Sequence, residues 1–267
     1  MSTAPTRDEL RAHLVTSRIA GDVRTTREDN LLKYAMLAAR LPLATFGLEL
    51  TQRWHLRDIL DLMVARVGVS ADPGHLHGAD RIDPDLTLDA LDRLAEHLAR
   101  AARDHSRVLV ATGHPAGLMV VHMAAAAALT RAGATVLTPG AGFSYATITR
   151  HGRVRRHVRY VDDVAVVSSA GELNHTHSAE PMRGLLAALA ADGADPPDLV
   201  LADHGWAGAA GQAGVTTVGF ADCNDPALFV GEAEGRVAVT VPLDDNVPPH
   251  LYAPMTSYLL EAAGLDG

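Results

Sequence analysis

The sequence carries one cysteine, Cys223, and one lysine, Lys33, in 267 residues. A single cysteine excludes an internal disulfide and a cysteine-rich zinc site. Arginine supplies nearly all the positive charge, which beside abundant alanine reflects a GC-rich genome more than selection for arginine chemistry. No stretch approaches the roughly 18 uninterrupted apolar residues of a membrane-spanning helix, and His122 interrupts the Ala-rich run Met119–Leu129. The opening stretch MSTAPTRDELRAHL has no apolar signal core, so a soluble, cytoplasmic protein is expected. Three nucleotide and hydrolase signatures are missing as well: GxxxxGK[ST], a GxGxxG after a strand, and a GxSxG elbow. P-loop hydrolysis, Rossmann dinucleotide binding and elbow-type serine catalysis are thereby disfavoured.

What is present fits an ordinary globule: 48% hydrophobic and 21% charged residues, too apolar for disorder. The net charge of -9 argues against nucleic acid or an anionic membrane as partner. A small phosphorylated molecule is the expected partner, and a homo-oligomer is expected for an acidic α/β protein of this size.

Residues 1–105 read as helices without strand-like alternation. Apolar positions recur at helical spacing over Leu48–Val67, Asp83 precedes a second stripe, and Ser70–Pro84 reads as a loop. The pattern changes at Arg107. Short apolar runs at Val108–Ala111, Thr135–Thr138, His157–Tyr160, Val164–Val167, Asp198–Ala202, Thr217–Ala221 and Arg236–Val241 alternate with helical stretches, the last being Pro254–Ala263. Such alternation predicts a largely parallel, Rossmann-like three-layer α/β sandwich over 106–267, preceded by a helical subdomain over 1–105 that serves as a lid. Arg18, Arg24 and Arg27 are the lid's candidate substrate contacts.

In an open parallel sheet, ligands bind beyond the carboxyl ends of the strands. After Ala111 come Thr112, Gly113 and His114; before the helix near Ala179 come His175, His177 and Ser178. After Ala202 come Asp203, His204 and Gly205; after Ala221 come Asp222, Asn224 and Asp225. A rim built only for turns needs Gly, Asn, Asp and Ser, but not four histidines. His175 and His177 lie two apart, so an extended backbone points both the same way. The other histidines, including His122 and His151, share no such placement and read as surface or satisfied core residues.

Gly113, Ser178 and Gly205 stand at helix starts, where free N–H groups and the helix dipole favour a phosphate. Asp203, Asp222 and Asn224 offer the oxygen ligands that magnesium or manganese prefers, and the nearby histidines also admit zinc. His114, His175, His177 and His204 are the candidate catalytic groups, with His177 or His204 moving the proton. Asp244-Asp245-Asn246 reads as a capping or turn segment. Cys223, between Asp222 and Asn224 in acidic company, is a poor nucleophile.

The motifs TGHPAGL, HTHSAEPM, LADHGWAGAAGQAGV, GFADCNDPALF and VPLDDNVPPHLYAPMTSYLL together resemble those of an actinobacterial family whose members carry the name phosphatase. The resemblance runs over most of the chain and implies phosphatase activity. A more distant likeness, to the metal-dependent damage-control carbohydrate phosphatases, lacks their Asp-Asn pair after a strand. The expected function is hydrolysis of a phosphomonoester of a sugar or nucleoside phosphate class, with a divalent metal assisting. A sugar-phosphate isomerase or lyase on the same scaffold, or a non-catalytic phosphometabolite sensor, are the alternatives.

Overall fold

A computed structural model describes residues 4–149 and 152–266, so His151 lies outside the described residues. The elements run α1 (Arg7–Ser17), β1 (Gly21–Thr26), α2 (Arg27–Ala38), α3 (Leu56–Val67), β2 (Ala79–Ile82), α4 (Pro84–Arg103), β3 (Arg107–Ala111) and α5 (Met119–Arg131). Next come β4 (Thr135–Val136), β5 (Ser144–Thr149), β6 (Gly152–Val161), β7 (Val164–Ser169), β8 (Glu172–Asn174) and α6 (Glu180–Ala191). The chain ends with β9 (Leu199–Asp203), α7 (His204–Gln212), β10 (Thr216–Ala221), α8 (Pro226–Ala233), β11 (Val239–Pro242), a 3-10 turn at Pro249–Tyr252 and α9 (Ala253–Ala262).

The protein is a three-layer α/β sandwich around a mostly parallel sheet of order β11-β10-β9-β3-β7-β6-β5, with β4 beside β3 and β8 beside β7. Strands β3 and β9 are near-continuous apolar runs because helices cover both faces. On one face lie α4, α5 and α9; on the other lie α6, α7 and α8, backed by α2 and α3. Helix α4 starts where its sequence says it should. Asp83 caps it by accepting from the Asp85 amide, Pro84 opens the first turn, and Leu88, Leu91, Leu94, Ala95 and Leu98 form the stripe laid against the sheet.

Three features depart from the sequence expectation. The first third contains strands: β1 and β2 pair antiparallel, Gly21 opposite Ile82, but each is short and buries few side chains, so no alternation stands out. Leu48 and Leu50 are buried in an extended segment before α3. The Glu234 carboxylate holds that segment straight by accepting from the Thr51 and Gln52 amides and from Trp54 Nε1. Finally, β5, β6, β7 and β8 each pair antiparallel with the next, giving the otherwise parallel sheet an antiparallel edge beyond β3.

Candidate functional site

Strand β9 ends on Asp203, and His204 opens α7 in a left-handed conformation (φ 47°) rare for a side chain of its size. The turn lets Asp203 hold the ring of the residue directly after it: His204 Nδ1 is 2.8 Å from Asp203 Oδ1. Asp203 also accepts from the Gly113 amide (2.6 Å) and from Thr112 Oγ1 (2.5 Å), both at the end of neighbouring β3. Behind it, His122 Nε2 lies 3.7 Å from Asp203 Oδ2 while the Nδ1 of that ring meets the Leu118 carbonyl. On the far side, His204 Nε2 faces Asp225 at 3.2 Å and Asp245 at 3.5 Å.

Around this centre the rings of His114, His175 and His177 close in. His175 lies 4.7 Å from His114, 4.9 Å from His177 and 4.9 Å from His204 between ring centroids. Phe46 packs edge-on to His177. A pocket of about 290 Å³ is lined by these four histidines with Asp222, Asn224, Asp225, Asp245, Asn246, Thr25 and Lys33. A second, smaller pocket of about 130 Å³ adjoins it and shares Lys33, His177, Asn224 and Asp225.

Charge is divided unevenly here. Burial, then the positive His204, pushes His175 down to about 3 and His177 down to about 4, and lowers His114 too. These three rings are neutral at pH 7. His204 is the exception: burial alone would lower its pKa, but Asp225 and Asp203 outweigh burial and hold it well above the ordinary value. Asp203 and Asp225 stay ionised because His204 outweighs the burial that would raise them. For Asp222 and Asp245 the balance tips the other way, since His204 reaches Asp245 at 3.5 Å without outweighing its burial. Burial, then Asp245 and Asp244, drives Asp222 well up, and burial first lifts Asp245 to about 7.

Asp222, Asp244 and Asp245 bring one oxygen each within 4.8 Å of one another, and all three are buried. His175, His177 and His204 form a second group with the same spacing, and His204, Asp225 and Asp245 a third that joins the two. Buried Asp245 Oδ2 and His114 Nδ1 have no hydrogen-bond partner within the protein. Oxygen donors packed this closely, with an orphaned carboxylate oxygen among them, suit a hard divalent cation.

Of the residues expected from sequence, His114, His175, His177, His204, Asp222 and Asn224 line the pocket. Asp203 sits one step behind, its oxygens occupied by Thr112, Gly113 and His204. Asn224 donates from Nδ2 to Asp29 at 2.5 Å. The glycines stand at close approaches: a Cβ on Gly113 would lie 2.5 Å from the Thr176 carbonyl oxygen, and one on Gly205 2.3 Å from that of His177. Ser178 accepts from the Glu180 amide and lines a separate groove with Gly47 and Arg183. Arg27 is buried and paired with Asp80, 3.0 Å away. Cys223 is buried, and burial with Asp222 raises its thiol, in keeping with a non-nucleophilic role.

Several site groups escaped the sequence reading. Asp244 and Asp245, read as a turn, are buried members of the carboxylate cluster. His122, set aside, lies behind Asp203. Lys33 and Thr25 come from the N-terminal third; Thr25 Oγ1 donates to Asp222 at 2.5 Å. The one available signal was Lys33 itself, the sole lysine in a chain that otherwise uses arginine.

A profile of the family described as Phosphatase matches residues 5–267. The Streptomyces coelicolor protein named phosphatase SCO2771 is 51% identical over 263 residues, covering 98% of this chain and 97% of the relative. The chain belongs to this phosphatase family. Among the described residues no helix is long and apolar enough to cross a membrane.

Proposed function

With that membership as premise, we propose that the chain hydrolyses the phosphomonoester of a small metabolite with the help of a divalent metal. One observation carries the reading: among the described residues Asp222, Asp244 and Asp245 cluster, buried and without a lysine or arginine ion pair, beside a pocket that Asp222 and Asp245 line together with a buried histidine that keeps its proton. Carboxylates so placed need protons or a cation to be stable.

Asp222, Asp244 and Asp245 would hold the metal, with magnesium or manganese favoured by an all-oxygen set. When bound, such an ion neutralises phosphoryl charge and acidifies water. His204 is the proton donor to the departing alkoxide, because Asp203 fixes its Nδ1 while its Nε2 faces Asp225 and Asp245 on the wall of the same pocket. Lys33 supplies the other positive charge for the phosphate. Neutral His114, His175 and His177 orient the phosphoryl oxygens by hydrogen bonds. Gly113 and Gly205 serve by letting the loops approach, which brings these rings together. The spacing of His175, His177 and His204 favours a second reading in which zinc takes the nitrogen donors.

The test is phosphate release from a panel of phosphorylated metabolites after EDTA treatment and after restoring magnesium, manganese or zinc. Metal-restored release is expected. Product without phosphate release points instead to an isomerase or lyase, and silence with every metal overturns hydrolysis.

A further inference from the structure

The pocket of about 130 Å³ beside the polar site has a different chemistry. Met36, Leu43, Ala44, Phe46 and Pro226 make up the part of its wall that the polar pocket does not share. Phe46 is held with φ 53°, a costly conformation for an aromatic residue, and its ring rests 5.1 Å from His177 and 5.5 Å from His204. The chain accommodates that loop through Gly208, where a Cβ would lie 2.1 Å from the Phe46 carbonyl oxygen. Leu43 remains 62% exposed at the mouth. An apolar wall thus begins where the catalytic histidines end.

We propose that this pocket is the leaving-group subsite and that the substrate is a phosphomonoester of an alcohol bearing a compact apolar group, a single aromatic ring or an aliphatic group of equal bulk. The proposal rests on the phosphatase reading. A dry cavity of about 150 Å³ holds benzene, so the available space matches one ring. Lys33, His177, Asn224 and Asp225 border both pockets, so one ester can place its phosphate among the histidines and its organic part against Phe46. Water adds to phosphorus, the bond from phosphorus to the alcohol oxygen breaks, and that oxygen takes the His204 proton. The attacking water returns a proton to His204, leaving inorganic phosphate and the free alcohol. A sugar is the poorer fit, because its hydroxyls would face Met36, Leu43 and Phe46 without partners.

The test compares kcat/KM for benzyl, isopentyl, glycerol 3- and glucose 6-phosphates, all esters of primary alcohols, with the full chain and magnesium or manganese. Benzyl and isopentyl phosphates are expected to exceed the polyol esters by about 10- to 100-fold, in the range that hydrophobic pockets give. Leu43→Asp at the exposed mouth and Ala44→Leu within the pocket should each lower the benzyl-to-glycerol ratio about tenfold. Phosphate release that is equal across the esters, or that favours glucose 6-phosphate, overturns the subsite and leaves the phosphatase reading standing. No release from any ester, together with no binding of inorganic phosphate by calorimetry, overturns both.

Discussion

His204 is oriented by its own predecessor: Asp203 Oδ1 sits 2.8 Å from His204 Nδ1 across a left-handed turn. Asp203 in turn is fixed by Thr112 and Gly113, so the strand ends of β3 and β9 together aim Nε2 at Asp225 and Asp245 on the pocket wall. Removing the negative charge while keeping the shape tests whether this pair carries the proton. Asp203→Asn is expected to lower kcat on the order of a thousandfold. His204 acts as an acid while protonated, and Asp203 raises its pKa, so the substitution should move the alkaline limb of the pH–rate profile down by about one unit. Thermal melting verifies folding. An unchanged alkaline limb would remove His204 from the role of acid.

The carboxylate cluster makes stability depend on pH and metal together. Asp222 and Asp245 have raised pKa values, Asp245 to about 7. A raised carboxylate contributes stability below its unfolded pKa, near 4, and loses it as pH climbs through the folded value. His175 and His177, lowered to about 3 and 4, work the other way: their contribution is present above about 6.5 and lost as pH falls. Metal-stripped protein should therefore lose Tm between pH 6 and pH 8, and magnesium or manganese should restore more at pH 8, on the order of 5 °C. Calorimetric melts with EDTA and with added metal at the two pH values decide it; equal Tm with and without metal at pH 8 contradicts the cation site.

The rim was legible because parallel strands deliver their following residues to one edge. His114, His177 and His204 lie far apart in sequence, yet β3 and β9 are neighbours and the loop after β8 returns to the same place. What the rim rule cannot read is a group that arrives from elsewhere. Lys33 and Thr25 reach the pocket from α2 and β1, outside the sheet that sets the pattern. It also cannot say which carboxylates have a cation: Asp203 and Asp222 look alike in sequence, but Asp203 has a histidine partner, whereas Asp222 accepts only from Thr25 and the Cys223 amide and sits among other acids. Asp244 and Asp245 read as a turn because their burial depends on α1 and β1 packing nearby, with Asp244 receiving the Arg24 amide and donating to the Ile19 carbonyl.

The glycines of the rim invite a steric test. A Cβ at Gly205 would lie 2.3 Å from the His177 carbonyl oxygen and 2.5 Å from that of Ser178, both backbone atoms unable to swing aside. Gly205→Ala should cost about 1–3 kcal/mol, as overpacking does, and lower Tm by roughly 3–10 °C. Activity should fall further than the lost stability explains, because the shifted backbone carries His177. If Tm and kcat both stay at the parent values, the close approach is not a constraint.

Lys33 lines both pockets, and its charge acts on Asp225 and His177. A lysine here is a point charge placed for phosphate, whereas His114, His175 and His177 beside it are neutral. Lys33→Met should raise KM about tenfold and change kcat less, since the charge serves substrate and transition state alike. Lys33→Arg should recover much of the loss, since it keeps the charge. The sequence offers an independent readout, because no other lysine exists in the chain. Side-chain acylation therefore reports on Lys33 alone, with the α-amino group resolved by peptide mapping. Inorganic phosphate should slow that acylation in the intact protein and leave the α-amino group unaffected. Acylation at the same rate with and without saturating phosphate, alongside an unaltered KM in Lys33→Met, would take Lys33 out of the phosphate site.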